Sequence, residues 1–349
     1  MNRGKPQRYI TLADEIMAMT VRDHLQSGDP LPPERKLAEL FACNHLTIRK
    51  ALRLLREQNR IHSIPCKGSF LGQAAKSAPD KNSNRIGFIF PDDEIFYYRI
   101  FAAVEKVLAS QGLHPVVHLT RNSEQREAEL LEYFTNSGTL ALLAVPNRQC
   151  AELYKTLKIP TVIFDMRLPD LEIPQILSDD HSGAYAATEK LLQLGHQRIA
   201  HIGSEYDYTG EQRLNGYLDA LKKYGIEPRK QLIKMRYPSR EWGYHAIREL
   251  FATKNPPTAV FCANDTIAAG VVNFCADNAI SIPEDLSITG FGNTQTAEDL
   301  GLCSVSQNAD RICGELCSAL QKLLKKESIA PLTVIPTFYI ARGSIAAKK

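Results

Sequence analysis

The 349-residue sequence predicts an α/β protein with an N-terminal winged helix-turn-helix and a two-lobed, Rossmann-like body. Three observations carry this expectation. The first 72 residues hold 12 Lys and Arg against 7 Asp and Glu, leaving 30 against 32 for the remainder and +3 overall. A basic head on a near-neutral body implies a polyanionic partner for the head alone. The stretch "QAAKSAPDKNSN" (Gln73–Asn84) has no large apolar residue and reads as a linker. Beyond it, β-rich runs alternate with helical stretches, the pattern of βαβ units on a parallel sheet. Such a body of about 260 residues is long for one sheet, and two lobes with a cleft between them fit better.

In the head, Tyr9, Leu12, Ala13, Ile16 and Met19 fall at helical spacing. A second helix is expected to start at the prolines of "LPPER", where a missing N–H does no harm, with Leu37, Leu40 and Phe41 as its buried stripe. Asn44 is placed to cap a third helix whose apolar face is Ile48, Ala51, Leu52 and Leu55. Its opposite face carries His45, Thr47, Arg49, Lys50 and Arg53. These are donors suited to phosphate oxygens and to base edges in a major groove. The plainer alternative is a solvated basic face on a small bundle. "RIHSIPCKGSFLG" then reads as two short strands joined at Lys67–Gly68, a wing with a lysine at its tip to reach phosphate.

In the body, the strands expected in order are "RIGFIFP", "HPVVHLT", "LALLAV", "PTVIFD", "RIAHIGS", "TAVFCAND" and "LSITGFGN". "LALLAV" is apolar throughout, as a strand covered on both faces would be. Asp180 is expected to cap the helix that Gly195 ends. "SVSQNADRICGELCSALQKLL" is expected to cross back into the first lobe, and "TVIPTFYIARGS" to return to the second as a closing strand. The resulting boundaries are 1–72 for the head, 73–84 for the linker and 85–345 for the body. Within the body, 85–178 and 307–329 form the first lobe, and 179–304 and 331–345 the second.

The head resembles the GntR-type winged-helix domain over nearly its whole length. The resemblance rests on Tyr9, Leu12, Ile16, Gly28, "LPPER" (31–35), "LA" (37–38), "TIRKAL" (47–52) and "KGSF" (67–70). It implies that Arg35, Thr47, Arg49 and Gly68 lie at the family's DNA-contacting positions. Arg35 and Lys50 suit phosphates, whereas His45 and Arg49 suit bases. Where the family usually has Ser-Arg, this chain has Asn44-His45, and a usual first-helix Gly is Asp23. Histidine for arginine removes a permanent charge and a bidentate fork, which implies a different operator sequence. Such domains bind near-palindromes as dimers.

The body resembles the LacI/GalR-type effector domain, a periplasmic-binding-protein-like fold. The match lies in "DDHSGAYAATEKLLQLGHQRIAHIGS", "RLNGY", "AND" and "GFGN". It implies Arg213 and Asn264 as cleft residues. Asp165 closes a strand at the end where open α/β sheets bind ligands. Tyr97 and Tyr98 follow the first strand, where the family often places contacts, and Glu94 is a weaker option. Asp265 is read as a helix cap rather than a contact. Two departures bear on the ligand. Gly292 stands where the family usually has a sugar-binding Asp, so that Asn293 would have to substitute, and Pro238 stands where an aromatic is common.

Together the two resemblances point to the arabinose-responsive repressor group. They imply a transcription regulator, acting as a homodimer on double-stranded operator DNA, with a sugar as its small-molecule effector. A solute-binding protein of a transport system is the second reading. The basic head and the lack of an apolar signal-peptide core in "MNRGKPQRYITLADE" weigh against it. An enzyme is the third, and no G-x-S-x-G, P-loop or G-x-G-x-x-G is present. No cofactor or metal is expected. The eight cysteines form no CxxC pair and mostly sit among apolar residues. No apolar run reaches membrane-spanning length, and a reducing cytoplasm is the expected setting.

Overall fold

The structure, a computed structural model, describes residues 8–64, 68–72, 84–205 and 208–348. Lys67 and nearly all of the expected linker lie outside the described residues. The chain divides into two compact units, residues 1–81 and 82–349.

The first unit is built on α1 (Arg8–Arg22), α2 (Glu34–Leu40) and α3 (His45–Glu57). A hairpin follows, β1 (Ile61–Ile64) paired antiparallel with β2 (Gly68–Leu71) in the register Ile61↔Leu71. One cluster holds it together: Leu12 and Ile16 of α1, Leu37 of α2, and Ile48, Ala51, Leu52 and Leu55 of α3. All seven are at most 2% exposed, so α3 is fixed along its whole apolar stripe. Burial of this kind is worth roughly 1.5–3 kcal/mol per large side chain. One expectation fails here. Leu40 is 52% exposed, and Ala38 takes the inward position beside Leu37. The helix is a single short segment, Glu34–Leu40, that buries Leu37 and Ala38 and ends at Leu40.

In the second unit the chain first makes β3 (Arg85–Phe90), α4 (Ile95–Ser110), β4 (His114–Leu119), α5 (Glu124–Asn136), β5 (Ala141–Ala144), α6 (Ala151–Lys155), β6 (Thr161–Phe164) and β7 (Gln175–Ser178). Next come α7 (Asp180–Gln193), β8 (Ile199–Ser204), α8 (Tyr208–Lys223), β9 (Ile233–Arg236), α9 (Arg240–Phe251), β10 (Ala259–Cys262), α10 (Asp265–Asp277), β11 (Ser287–Phe291), α11 (Gln295–Asp299) and β12 (Cys303–Ser306). The chain closes with α12 (Ala309–Leu324), β13 (Leu332–Ile335) and β14 (Phe338–Ile340).

Two six-stranded sheets result, ordered β13-β7-β6-β5-β3-β4 and β14-β12-β11-β10-β8-β9. The first is parallel throughout; in the second only β14 runs antiparallel, against β12. Strands β3, β5, β6, β8 and β10 are buried on both faces apart from Arg85, which is why they read as unbroken apolar runs. In each sheet the order reverses beside the first strand, between β3 and β5 and between β8 and β10. Open α/β sheets bind ligands at these switch points, beyond the carboxyl ends of the strands.

The chain passes between the sheets at 178–180, 306–309 and 335–338. The last passage corrects the expectation that "TVIPTFYIARGS" lies wholly in the second lobe. Its first part is β13, paired with β7 in the first sheet, and the change of lobe falls at Pro336–Thr337. Proline has no N–H for a ladder, so a break there suits the chemistry.

Candidate functional sites

In the first unit, the start of α3 is fixed by its own sequence. Asn44 Oδ1 accepts from the Thr47 backbone N–H and from the Thr47 hydroxyl, each at 2.8 Å. Asn44 therefore caps the helix as expected, and its acceptor is spent on that task. His45, Arg49, Lys50 and Arg53 are exposed along one side of α3, opposite the apolar stripe. Arg49 Nε donates to Glu34 Oε2 at 2.8 Å, and Arg35 lies 3.6 Å from Glu39. The bond to Glu34 raises the Arg49 pKa, so the guanidinium is permanently charged. Exposed pairs of this kind contribute little, so each arginine can leave its carboxylate at small cost.

Gly68 opens β2 at φ +111°, a conformation only glycine adopts freely, and it is exposed at the turn of the hairpin. Leu46, the second residue of α3, is 68% exposed within an otherwise polar surface. The sequence reading passed over it because only charged and polar donors were sought.

In the second unit, both switch points open onto one cleft with a cavity of about 350 Å³. The loop after β3 brings Asp92 and Glu94, the loop after β5 brings Asn147 and Arg148, and Asp165 follows β6. From the other lobe come Glu205 after β8, Arg213 of α8, Asn264 and Asp265 at the start of α10, and Phe291 at the end of β11.

Arg213 is 8% exposed and held from several sides. It pairs with Asp180 Oδ1 through Nε at 2.7 Å and Nη2 at 2.6 Å. Nη1 donates to the Ala263 carbonyl at 2.8 Å, and the guanidinium lies 4.0 Å from the centroid of the Phe291 ring. Asp180 is therefore not the cap of α7. That role belongs to Asp179, whose side chain accepts from Ser182 N. Freed from capping, Asp180 Oδ2 accepts from Ser178 Oγ at 2.6 Å, and Ser178 Oγ accepts from Gln307 Nε2 at 3.1 Å. Ser178 and Gln307 lie on two of the inter-lobe passages. A cleft arginine is thus tied by three successive bonds to two of the passages between the lobes.

Asn264 caps α10, its Oδ1 accepting from Ile267 N at 2.8 Å, while its Nδ2 crosses the cleft to Glu94 Oε1 at 2.8 Å. The cap expected at Asp265 is thus one residue earlier. Asp265 is 1% exposed and ties down the strand ends instead, accepting from Thr294 N at 2.7 Å and Ser304 Oγ at 2.7 Å. Burial pushes its carboxyl upward, against the pull of those bonds.

Tyr97 and Asp165 meet, the phenol donating to Oδ2 at 2.8 Å. Burial raises the Tyr97 pKa well above the phenol range, and Asp165, Glu94 and Asp92 push it the same way. Tyr98 does not reach the site and is 71% exposed. The two tyrosines sit inside α4, where neighbours point about 100° apart, so one faces in and the other out.

Asn293 also fails to substitute for the missing carboxylate. Its Oδ1 accepts from Arg342 Nη2 at 2.7 Å, and it does not line the cavity. Gly292, which does line it, has φ +114°. That backbone disfavours an aspartate and turns the next residue away. Near the vacant aromatic position at Pro238, Tyr237 lines the cavity and donates to Asp92 Oδ2 at 3.0 Å. Asp92, Glu205 and Arg148 escaped the sequence reading, although "PDDE" directly after β3 marks the position that a switch point uses. Among the described residues no group of three His, Cys, Asp or Glu is placed to hold a metal. Among the described residues no helix is long and apolar enough to cross a membrane.

Residues 8–71 match the bacterial regulatory proteins of the gntR family, and residues 188–345 match the periplasmic binding protein-like domain. The arabinose metabolism transcriptional repressor of Geobacillus stearothermophilus is 24% identical over 338 residues, 92% of each chain. The HTH-type transcriptional regulator GalR of Escherichia coli K12 is 31% identical over 223 residues, 62% of this chain and 65% of that one. The structure of the transcriptional regulator CelR in complex with cellobiose superposes with a TM-score of 0.70 at 21% identity, covering 97% of this chain and 100% of the other.

Proposed function

From a chain that belongs to the transcription regulators joining a GntR-type DNA-binding domain to a LacI-type, periplasmic-binding-protein-like domain, we infer a repressor released from its operator by a sugar. The observation that carries this reading is the cleft. It has the volume of a small-molecule site, lies at two switch points, and has hydrogen-bonding groups and the aromatic residues Tyr97, Tyr237 and Phe291 in its lining. The names of the relatives, which include an arabinose-metabolism repressor and a cellobiose-bound regulator, support a sugar as the class of effector.

On the DNA side, α3 enters the major groove. Lys50 and Arg35 neutralise phosphates, Arg49 and His45 read bases, and the wing carries Lys67 and Gly68 to the flanking backbone. Leu46 presents an apolar surface suited to a thymine methyl. One head makes few phosphate contacts, and a homodimer on a near-palindrome supplies the rest. On the sensor side, Arg213 meets the effector, and its bonds through Asp180 and Ser178 to Gln307 carry the contact to the hinge. Closing one lobe on the other is the motion this architecture permits. The cytoplasm is where such a protein works.

The test is binding of the full chain to fragments of its own upstream region across a salt series. A sequence preference with affinity falling steeply in salt is expected. Equal, weak binding to every fragment would overturn the regulator reading.

A further inference from the structure

The charge lining the cleft narrows the effector further, a step that rests on the cleft being the effector site. Asp92, Glu94, Glu124, Asp165, Glu205 and Asp265 line the cavity, against Arg148 and Arg213. Both guanidiniums are already matched, Arg213 by Asp180 and Arg148 by Glu211 at 2.8 Å across the lobes. A ligand entering the cleft therefore meets a wall with a surplus of negative charge. The two tyrosines there respond to the same field. Burial comes first in raising both phenols, and Asp92 and Glu94 add to it at Tyr97 and at Tyr237.

The geometry at Asn264 makes the selection specific. Its Oδ1 is committed to the α10 backbone, so only Nδ2 can face a ligand, and Nδ2 points at Glu94 Oε1. A group inserted between them must accept from an amide and donate to a carboxylate. A hydroxyl does both, and an ammonium satisfies the carboxylate. A carboxylate or phosphate only accepts, and it would set two anions face to face. The second lobe offers no carboxylate at Gly292, and the cavity's carboxylate acceptors for hydroxyl donors are Asp92, Glu94 and Asp165 on the first lobe and Glu205 on the second.

We propose that the cleft takes an uncharged or aminated sugar and rejects the acid and phosphate forms of the same sugar, with Glu94 setting the discrimination. The experiment is calorimetric titration and thermal shift of the full chain with matched sets. Glucose, glucosamine, glucuronate and glucose 6-phosphate form one set; galactose, galactosamine and galacturonate a second; arabinose and arabinose 5-phosphate a third. In the set that binds, the neutral or amino member is expected to bind at least about tenfold more tightly than its acidic counterpart. Glu94→Gln keeps an acceptor but removes the charge, and is expected to shrink that ratio by about tenfold. Asp92→Asn is expected to shrink it in the same direction, which keeps the test intact should Glu94→Gln fold poorly. An acidic member binding as tightly as the neutral one, or a ratio unmoved in both variants, overturns the proposal while leaving the sugar reading standing. Failure of every set to bind overturns the sugar reading itself, and this proposal with it.

Discussion

The two sites use charge in opposite ways. In the head, Arg35 of α2 and Arg49 of α3 sit in solvent, each paired with a glutamate that it can leave. In the cleft, Arg213 and Asp180 are buried at 8% and 2% exposure and bonded on several sides. The first arrangement keeps its charges ready for a polyanion. The second fixes one charge in one place. An exposed pair can be broken at small cost, whereas a buried pair broken on one side leaves a stranded charge.

That contrast can be broken first at its strongest point. Asp180→Ala removes the buried counter-charge of Arg213, and the body is expected to lose about 3–5 kcal/mol in urea unfolding. Arg213→Ala removes the counter-charge of Asp180 in the same way, so loss of effector binding in that variant must be read beside its stability. Glu34→Ala, which breaks the exposed pair with Arg49, is expected to leave unfolding nearly unchanged. An equal loss in both would erase the distinction.

The second test is acid. His201 is fully buried, stacked between Tyr217 and Phe261, with Nδ1 on the Phe261 carbonyl and Nε2 unbonded among the described residues. Burial is the main cause that lowers its pKa from 6.5 to about 4. The unfolded chain therefore takes up the proton more readily than the folded one. Stability is full above pH 6.5 and falls as the pH drops from 6.5 toward 4, by about 3 kcal/mol for this group. His196, also lowered by burial, adds in the same direction. Denaturation midpoints of His201→Phe measured across that range should fall less steeply than those of the parent chain. Parallel curves would show that the residue does not carry the effect.

On the exposed side, Arg49→Ala is expected to weaken operator binding by about ten- to a hundredfold with the melting temperature unchanged, as DNA titration beside calorimetry would report. The smallest effect is at the cap. Asn44→Ala should cost the head about 1 kcal/mol, and Asn44→Ser, an equally good cap, should restore it.

The sequence was most legible where structure is local. The Asn44 cap, the stripe Ile48–Ala51–Leu52–Leu55 and the two-sided burial of β5 and β6 follow from spacing within a dozen residues. The cleft was legible only in part. Asp165 was marked by its strand end, and Arg213, Asn264 and Tyr97 by the resemblance to the LacI/GalR-type domain, and the structure brings all four to one cavity. Tyr98 was misread because α4 begins at Ile95, before the pair, and a helix cannot aim both neighbours inward. Asn293 was misread because its orientation depends on a left-handed turn at Gly292 and on Arg342, 49 residues away. The tie that runs from Arg213 through Asp180 and Ser178 to Gln307 joins three separate stretches of the chain, and no local pattern announces it.

Occupancy of the cleft is expected to control the grip of α3 on DNA. Fluorescence anisotropy of the full chain on its operator, with and without a sugar that raises its melting temperature, tests this directly. Saturating sugar is expected to weaken DNA binding by about 5- to 150-fold, and saturating operator to weaken sugar binding by the same factor. DNA affinity unchanged at saturating sugar would contradict the account.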